Sequence, residues 1–250
     1  AARVARVRDG PTRALVYAGW FDSGSVASAV RVQQALGRCR LVIGPWTHGL
    51  RQQCSQHQPT HLAVPKFDMY SHIAEWLCGL RTAGVQGYDE DRSEPAVRFF
   101  VMGAERWDAA SAWPPPERED ATLRLRHGGG LSRKLRGAGT ASFSVDPAAS
   151  TPLSSRWNLV QHILEEPTDY GDRSQARGLL SFTEAAAREQ AFVVAGTPCV
   201  ALDLELHDGD DAAVFVYLED VAPSGHVRYV TEGCARAGFH GSDSFCRADL

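Results

Sequence analysis

Two short apolar runs, each closed by a glycine, constrain this chain more than anything else in it. They are Ala14-Leu-Val-Tyr-Ala-Gly19 and Leu41-Val-Ile-Gly44, the second entered from Arg40. A continuous apolar run of this length suits a strand buried on both faces, as parallel strands are. Between them lies Ser25–Leu36, with Val26, Ala29, Val30, Gln33 and Leu36 at helical spacing. Ser23 or Ser25 can cap its start, and Gly37 can end it. Strand, helix and strand in so few residues predict a βαβ unit with parallel strands. A second helix is expected over Lys66–Leu80, with Phe67, Tyr70, Ile73, Ala74 and Leu77 on its apolar face.

From about Ala121 the helical period fades. Pro198–His207 alternates strictly, with Val200, Leu202, Leu204 and Leu206 set against Ala201, Asp203, Glu205 and His207, which predicts a half-buried strand. Ala213–Leu218 and His226–Thr231 read as a strand pair around the turn Pro223-Ser-Gly225. Leu179–Thr183 and Ala191–Val194 are further strand candidates, and Asp208-Gly-Asp-Asp211 reads as a hairpin turn. Regularly spaced strands with Gly and Pro turns suggest a jelly roll or other β-sandwich. Trp113-Pro-Pro-Pro116 is a stiff connector between the two regions. The expected architecture is α/β plus β. Residues 1–118 form the C-terminal part of an α/β domain and residues 119–250 an incomplete jelly-roll β-sandwich.

Composition excludes several classes of function. With 26 basic against 30 acidic side chains, the chain has no charge excess for nucleic acid or an anionic membrane. At 44% hydrophobic residues it can bury a sizeable core, and no apolar stretch approaches the ~18–20 residues that cross a bilayer. The six cysteines contain no C-x-x-C pair and are expected to be buried free thiols. The arginines near the N-terminus precede no apolar segment, so no secretory signal is read there, and a cytoplasmic setting is the default.

The chemistry gathers where the two buried runs end. Gly19-Trp-Phe-Asp22 follows the first, and Gly44-Pro-Trp-Thr-His-Gly49 follows the second. Open parallel sheets place catalytic groups at the carboxyl ends of their strands, so Asp22 and His48 are expected on one edge. A carboxylate beside an imidazole fixes its tautomer and stabilises the imidazolium, the orienting role in a hydrolase triad. Acid before histidine is also the α/β-hydrolase order. From spacing alone, a turn-capping Asp and an ordinary loop His are the simpler reading. Trp20, Phe21 and Trp46 are candidates to line a substrate pocket or to pack beneath the sheet edge.

This pair of motifs resembles the cocaine-esterase/Xaa-Pro dipeptidyl-peptidase family of serine hydrolases. The likeness continues through Trp76-Leu-Cys-Gly79, Val97–Gly103 with Trp107, the Trp113 proline run, Asp146-Pro147, Gly178–Thr183, Val194-Ala-Gly196 and Val230-Thr-Glu-Gly233. The resemblance implies an α/β-hydrolase body with a helical cap, followed by a C-terminal jelly roll. It implies Asp22 as triad acid and His48 as general base, acting on a small-molecule ester or peptide without cofactor or metal. A homo-oligomer is compatible with it.

Two features depart from that pattern. No G-x-S-x-G elbow, which would carry the nucleophilic serine, occurs in the 250 residues. The tail Cys234–Leu250 loses its alternation and runs into Gly-Phe-His-Gly-Ser. The chain therefore reads as an internal or C-terminal piece of a longer hydrolase, inactive by itself. A hydrolase remnant carrying a β-sandwich binding module is the rival from another class. A zinc site from Cys54, His57, His61 and His72 is a weaker one, since these sit in or beyond a polar loop with no second cysteine to close the set. Asp208–Asp211 lacks the spacing of a calcium loop.

Overall fold

A computed structural model describes residues 2–50, 53–55, 57, 66–87, 95–133, 139–148, 178–184, 193–209 and 211–237. After a short helix α1 (Ala2–Asp9) come β1 (Ala14–Gly19), α2 (Ser25–Leu36) and β2 (Cys39–Gly44). They form the expected unit. β1 and β2 are parallel in the register Ala14↔Cys39 to Gly19↔Gly44. Helix α3 (Met69–Gly87) precedes β3 (Val97–Val101), which runs parallel to β2, and β4 (Arg106–Ala110), which returns antiparallel. The sheet order is β1-β2-β3-β4.

Register sorts the side chains onto two faces. One carries Val16, Ala18, Leu41, Ile43, Val97, Phe99, Val101 and Ala110, and helix α2 covers it with Val26 and Ala29. This is the main core; Ala18, Leu41, Ile43 and Val97 are at most 1% exposed. Gly37, at φ +69°, ends α2 and donates its N–H to Gln33 O. The other face carries an aromatic cluster in which Tyr17, Trp46, Phe67, Phe100 and Trp107 meet at centroid distances of 4.9–6.4 Å. Trp113 is buried against Trp20 and Phe99, so the proline connector leaves from the core.

Helix α3 starts later than expected because Asp68 caps it. Its carboxylate accepts from Ser71 N at 3.0 Å and from Ser71 Oγ at 2.7 Å. These bonds, the backbone one first, hold the Asp68 carboxyl below its usual pKa. The half-buried face is Met69, His72, Ile73, Trp76 and Leu80; Tyr70, Ala74 and Leu77 of the expected face are exposed. On that face His72 meets Tyr17 and Phe67.

Beyond Ala110 the described strands pair only in antiparallel ladders: β5 (Arg124–Arg126) with β6 (Gly130–Ser132), and β7 (Ala213–Val221) with β8 (Val227–Arg236). The expected hairpin turn at Pro223–Gly225 forms, with Ala222 N donating to His226 O and Gly225 at φ +85°. Pro198–His207 forms no strand, and Leu204 and Leu206 are exposed. Beyond a single bridge at Cys199 the alternation builds no ladder among the described residues. Leu179–Thr183 contributes only the isolated bridge Gly130↔Thr183. Of the strand expected at Ala191–Val194, residues 191 and 192 lie outside the described set, and Val193–Val194 is not a strand. Asp210, within the turn expected at Asp208–Asp211, lies outside the described residues; Asp211 binds Arg236 and accepts from the Ala212 N–H at the end of β7 and β8. Of the thiols, Cys39 and Cys54 are buried as expected, whereas Cys78, Cys199 and Cys234 are exposed. Cys246 lies outside the described residues. No helix among the described residues is long and apolar enough to cross a membrane.

Candidate active site

The chain leaves β1 and β2 through two loops stitched together by backbone. Trp20 N donates to Gly44 O at 2.9 Å and Phe21 N to Trp46 O at 3.1 Å. So close an approach leaves no room for side chains at the strand ends. A Cβ on Gly19 would fall inside contact distance of the Trp46 backbone, and one on Gly44 would fall inside the Trp46 indole. The first loop then turns tightly, with Asp22 N donating to Gly19 O, Ser25 N to Asp22 O, and Ser23 at φ +39°. The second makes a tight turn over Thr47–Leu50, closed by Leu50 N on Thr47 O, with Gly49 at φ +73° and Leu50 at φ +57°.

These turns bring Asp22 and His48 face to face. His48 Nδ1 lies 2.8 Å from Asp22 Oδ1. An ionised carboxylate only accepts, so Nδ1 carries the proton and Nε2 is the nitrogen left for exchange with a substrate. The Asp22 side chain is 13% exposed and the His48 side chain 49%. A sheltered acid behind an accessible imidazole has the layout of an orienting carboxylate and a working base.

The three aromatic candidates sit differently. Phe21 and Trp46 are each 2% exposed and belong to the interior, Trp46 in the aromatic cluster and Phe21 beside Cys54. Trp20 is half-buried, with Nε1 donating to Phe100 O at 2.9 Å. All three pack under the sheet edge, and neither Phe21 nor Trp46 offers a ring face to a ligand.

Cys54 packs on Phe21 and His72 bonds Tyr17, while His61 lies outside the described residues. Among the described residues no group of three His, Cys, Asp or Glu side chains could hold an ion. A feature that pattern reading missed is the anchoring of the His48 loop by residues 53–55. Trp46 and Gln53 form an antiparallel bridge, and Cys54 N donates to Pro45 O at 2.6 Å. A buried cysteine eight residues past the Gly-Pro-Trp motif was the available signal.

Comparison with known proteins places this geometry in context. Residues 91–246 match the X-Pro dipeptidyl-peptidase C-terminal non-catalytic domain. The chain is 34% identical over 235 residues to a candidate serine esterase of Mycobacterium tuberculosis (strain CDC 1551 / Oshkosh), covering 88% of this chain and 35% of that protein. It is 30% identical over 251 residues to the cocaine esterase of Rhodococcus sp. (strain MB1 Bresler), covering 90% of this chain and 41% of that one. The chain thus spans about a third to two-fifths of the length of these relatives. Its fold matches that of an aminopeptidase from a marine sediment archaeon, Thaumarchaeota archaeon. There the TM-score is 0.59 at 17% identity, covering 100% of this chain and 44% of the other. On the match over more than half its length, the chain belongs to the family of the X-Pro dipeptidyl-peptidase C-terminal non-catalytic domain.

Proposed function

We propose that Asp22 and His48 are the acid and general base of a Ser-His-Asp triad, in a protein that hydrolyses a small ester or peptide by acyl transfer to water. The 2.8 Å contact between Nδ1 and the sheltered carboxylate carries this reading. Family membership supports a serine esterase or peptidase type of hydrolase. In this reading His48 Nε2 takes the proton of a serine hydroxyl as it attacks the carbonyl, then returns it to the leaving group; Asp22 stabilises the imidazolium between the two steps. Water repeats the cycle on the acyl-enzyme. No G-x-S-x-G occurs in the 250 residues, so the nucleophile belongs to another part of the protein.

Residues 1–118 are then the end of an α/β-hydrolase domain and residues 119–250 a jelly-roll β-sandwich, which the alternating burial of β7 supports. The free thiols fit a cytoplasmic setting. The experiment compares the 250-residue chain with a longer protein that supplies the serine elbow, using an activated ester. The expected result is no turnover from the short chain and restored turnover from the longer one. His48→Ala should then abolish that turnover, and Asp22→Asn should lower kcat by about 10⁴. Robust, His48-dependent turnover by the short chain would overturn the assignment of the nucleophile. Turnover by the longer protein that survives His48→Ala would overturn the triad.

A further inference from the structure

A half-exposed imidazole on a tight turn has little packing of its own to hold it. His48 nevertheless meets Asp22 at hydrogen-bond distance, so the chain on either side of it sets its position: the backbone bonds at the strand ends before it and the closure of its loop after it. That loop leaves β2 at Gly44 and is clasped at its far end by the Trp46↔Gln53 bridge and by Cys54 N on Pro45 O. Immediately past the clasp, the Cys54 side chain is 2% exposed and packs against Phe21, also 2% exposed, with Trp20 and Met102 completing the cluster. Phe21 is the residue before Asp22. One buried apolar contact therefore ties the end of the base loop to the neighbour of the acid.

The next residue adds a polar tie in another direction. Ser55 Oγ donates to Glu105 Oε1 at 2.6 Å, and the same oxygen accepts from Gly103 N at 2.9 Å, in the tight turn between β3 and β4. Met102, at the start of that turn, also touches the Phe21–Cys54 pair. The base loop is thus wedged between the acid loop and the β3–β4 turn. From this we infer that Phe21 and Cys54 are positioning residues, whose contact fixes the Asp22–His48 separation without either side chain reaching a substrate. The inference rests on the triad reading for its catalytic meaning, but its geometric content stands apart from activity.

The test follows the His48 ring in the 250-residue chain by long-range ¹H–¹⁵N NMR, which reports the tautomer and the bonded Nδ1 proton directly. Wild type should show His48 with its proton on Nδ1. Phe21→Ala, and Cys54→Ser, which puts a hydroxyl in a dry site, should broaden or shift that signature toward an ordinary solvent-exposed imidazole. Phe21→Leu keeps an apolar filler and should retain it. Ile43→Val, a core deletion in the sheet below, serves as the control for lost stability. In the longer, active protein, Phe21→Ala should lower kcat by roughly 10²-fold with KM little changed, the mark of a displaced catalytic group. An unchanged His48 signature in folded Phe21→Ala would overturn the inference and leave the triad standing. So would an equal shift in Ile43→Val. Activity that ignores His48→Ala would defeat the triad instead, while the NMR result would still decide the clamp.

Discussion

A methyl group at position 19 or 44 would need space that Trp46 already fills. At Gly19 the obstacle is the Trp46 backbone, whose carbonyl accepts the Phe21 N–H; at Gly44 it is an indole that is itself 2% exposed and cannot swing aside. Overpacking of this kind typically costs about 1–3 kcal/mol. Gly19→Ala should therefore lower the urea midpoint by that equivalent and move His48 away from Asp22, visible as loss of the Nδ1-bonded proton. A midpoint and His48 signal both unchanged would show that the loops can spread freely. The strand-end glycines, the acid and the histidine were all legible in sequence, because apolar runs and their terminators are local. Whether Phe21 and Trp46 face a ligand or the interior was not legible. That depends on which residues come back across them, here Cys54 and Phe67, and such returns leave no periodic trace.

Helix α3 shows the same divide at the scale of an element. Its existence follows from spacing, but its docking face does not, because a polar contact sets the rotation. Tyr17 Oη and His72 Nδ1 lie 2.6 Å apart, with the rings edge-on at 5.9 Å. Burial pushes the Tyr17 phenol up to about 12, so Tyr17 donates and His72 must accept as a neutral ring. Burial first, then the Arg98 and Arg40 charges, holds the His72 pKa below 6.5, against an opposing pull from Glu75. The sign follows from linkage: an undocked His72 takes a proton more readily than a docked one. Docking is therefore fully supported above the ordinary value of 6.5 and weakens as pH falls toward the lowered one. Amide protection factors along Met69–Gly87, corrected for the slower intrinsic exchange at lower pH, should fall on acidification through that window before those of the sheet do. His72→Gln, which cannot titrate there, should flatten the dependence. An acid response that persists in the Gln variant would assign it to another group. The strand predicted at Pro198–His207 failed for a related reason, since alternation describes one strand's two faces and says nothing about a partner.

At the scale of the whole molecule, the sheet among the described residues ends at β1 on one side and at the antiparallel β4 on the other. Among the described residues, β1 pairs with β2 alone. Ala14 N bonds Arg38 O and Trp20 N bonds Gly44 O, so the two-residue period turns Val16 and Ala18 toward β2 as well. Leu15 and Tyr17 then present their backbone groups to the open edge. An unpaired edge of this kind recruits another strand, whether from the rest of a longer protein or from a second copy of the chain. The 250-residue chain should accordingly self-associate with rising concentration in analytical ultracentrifugation. Proline separates the two sides of the strand, because it deletes one N–H at a time. Leu15→Pro removes an edge donor, so it should weaken association while leaving the fold's unfolding midpoint nearly intact. Val16→Pro removes a ladder bond and strands the opposing carbonyl, so it should cost about 1–3 kcal/mol or more of stability. Association that is indifferent to Leu15→Pro would move the contact away from β1, with the exposed apolar side chains Phe215 and Val221 of β7 as the next surface to vary.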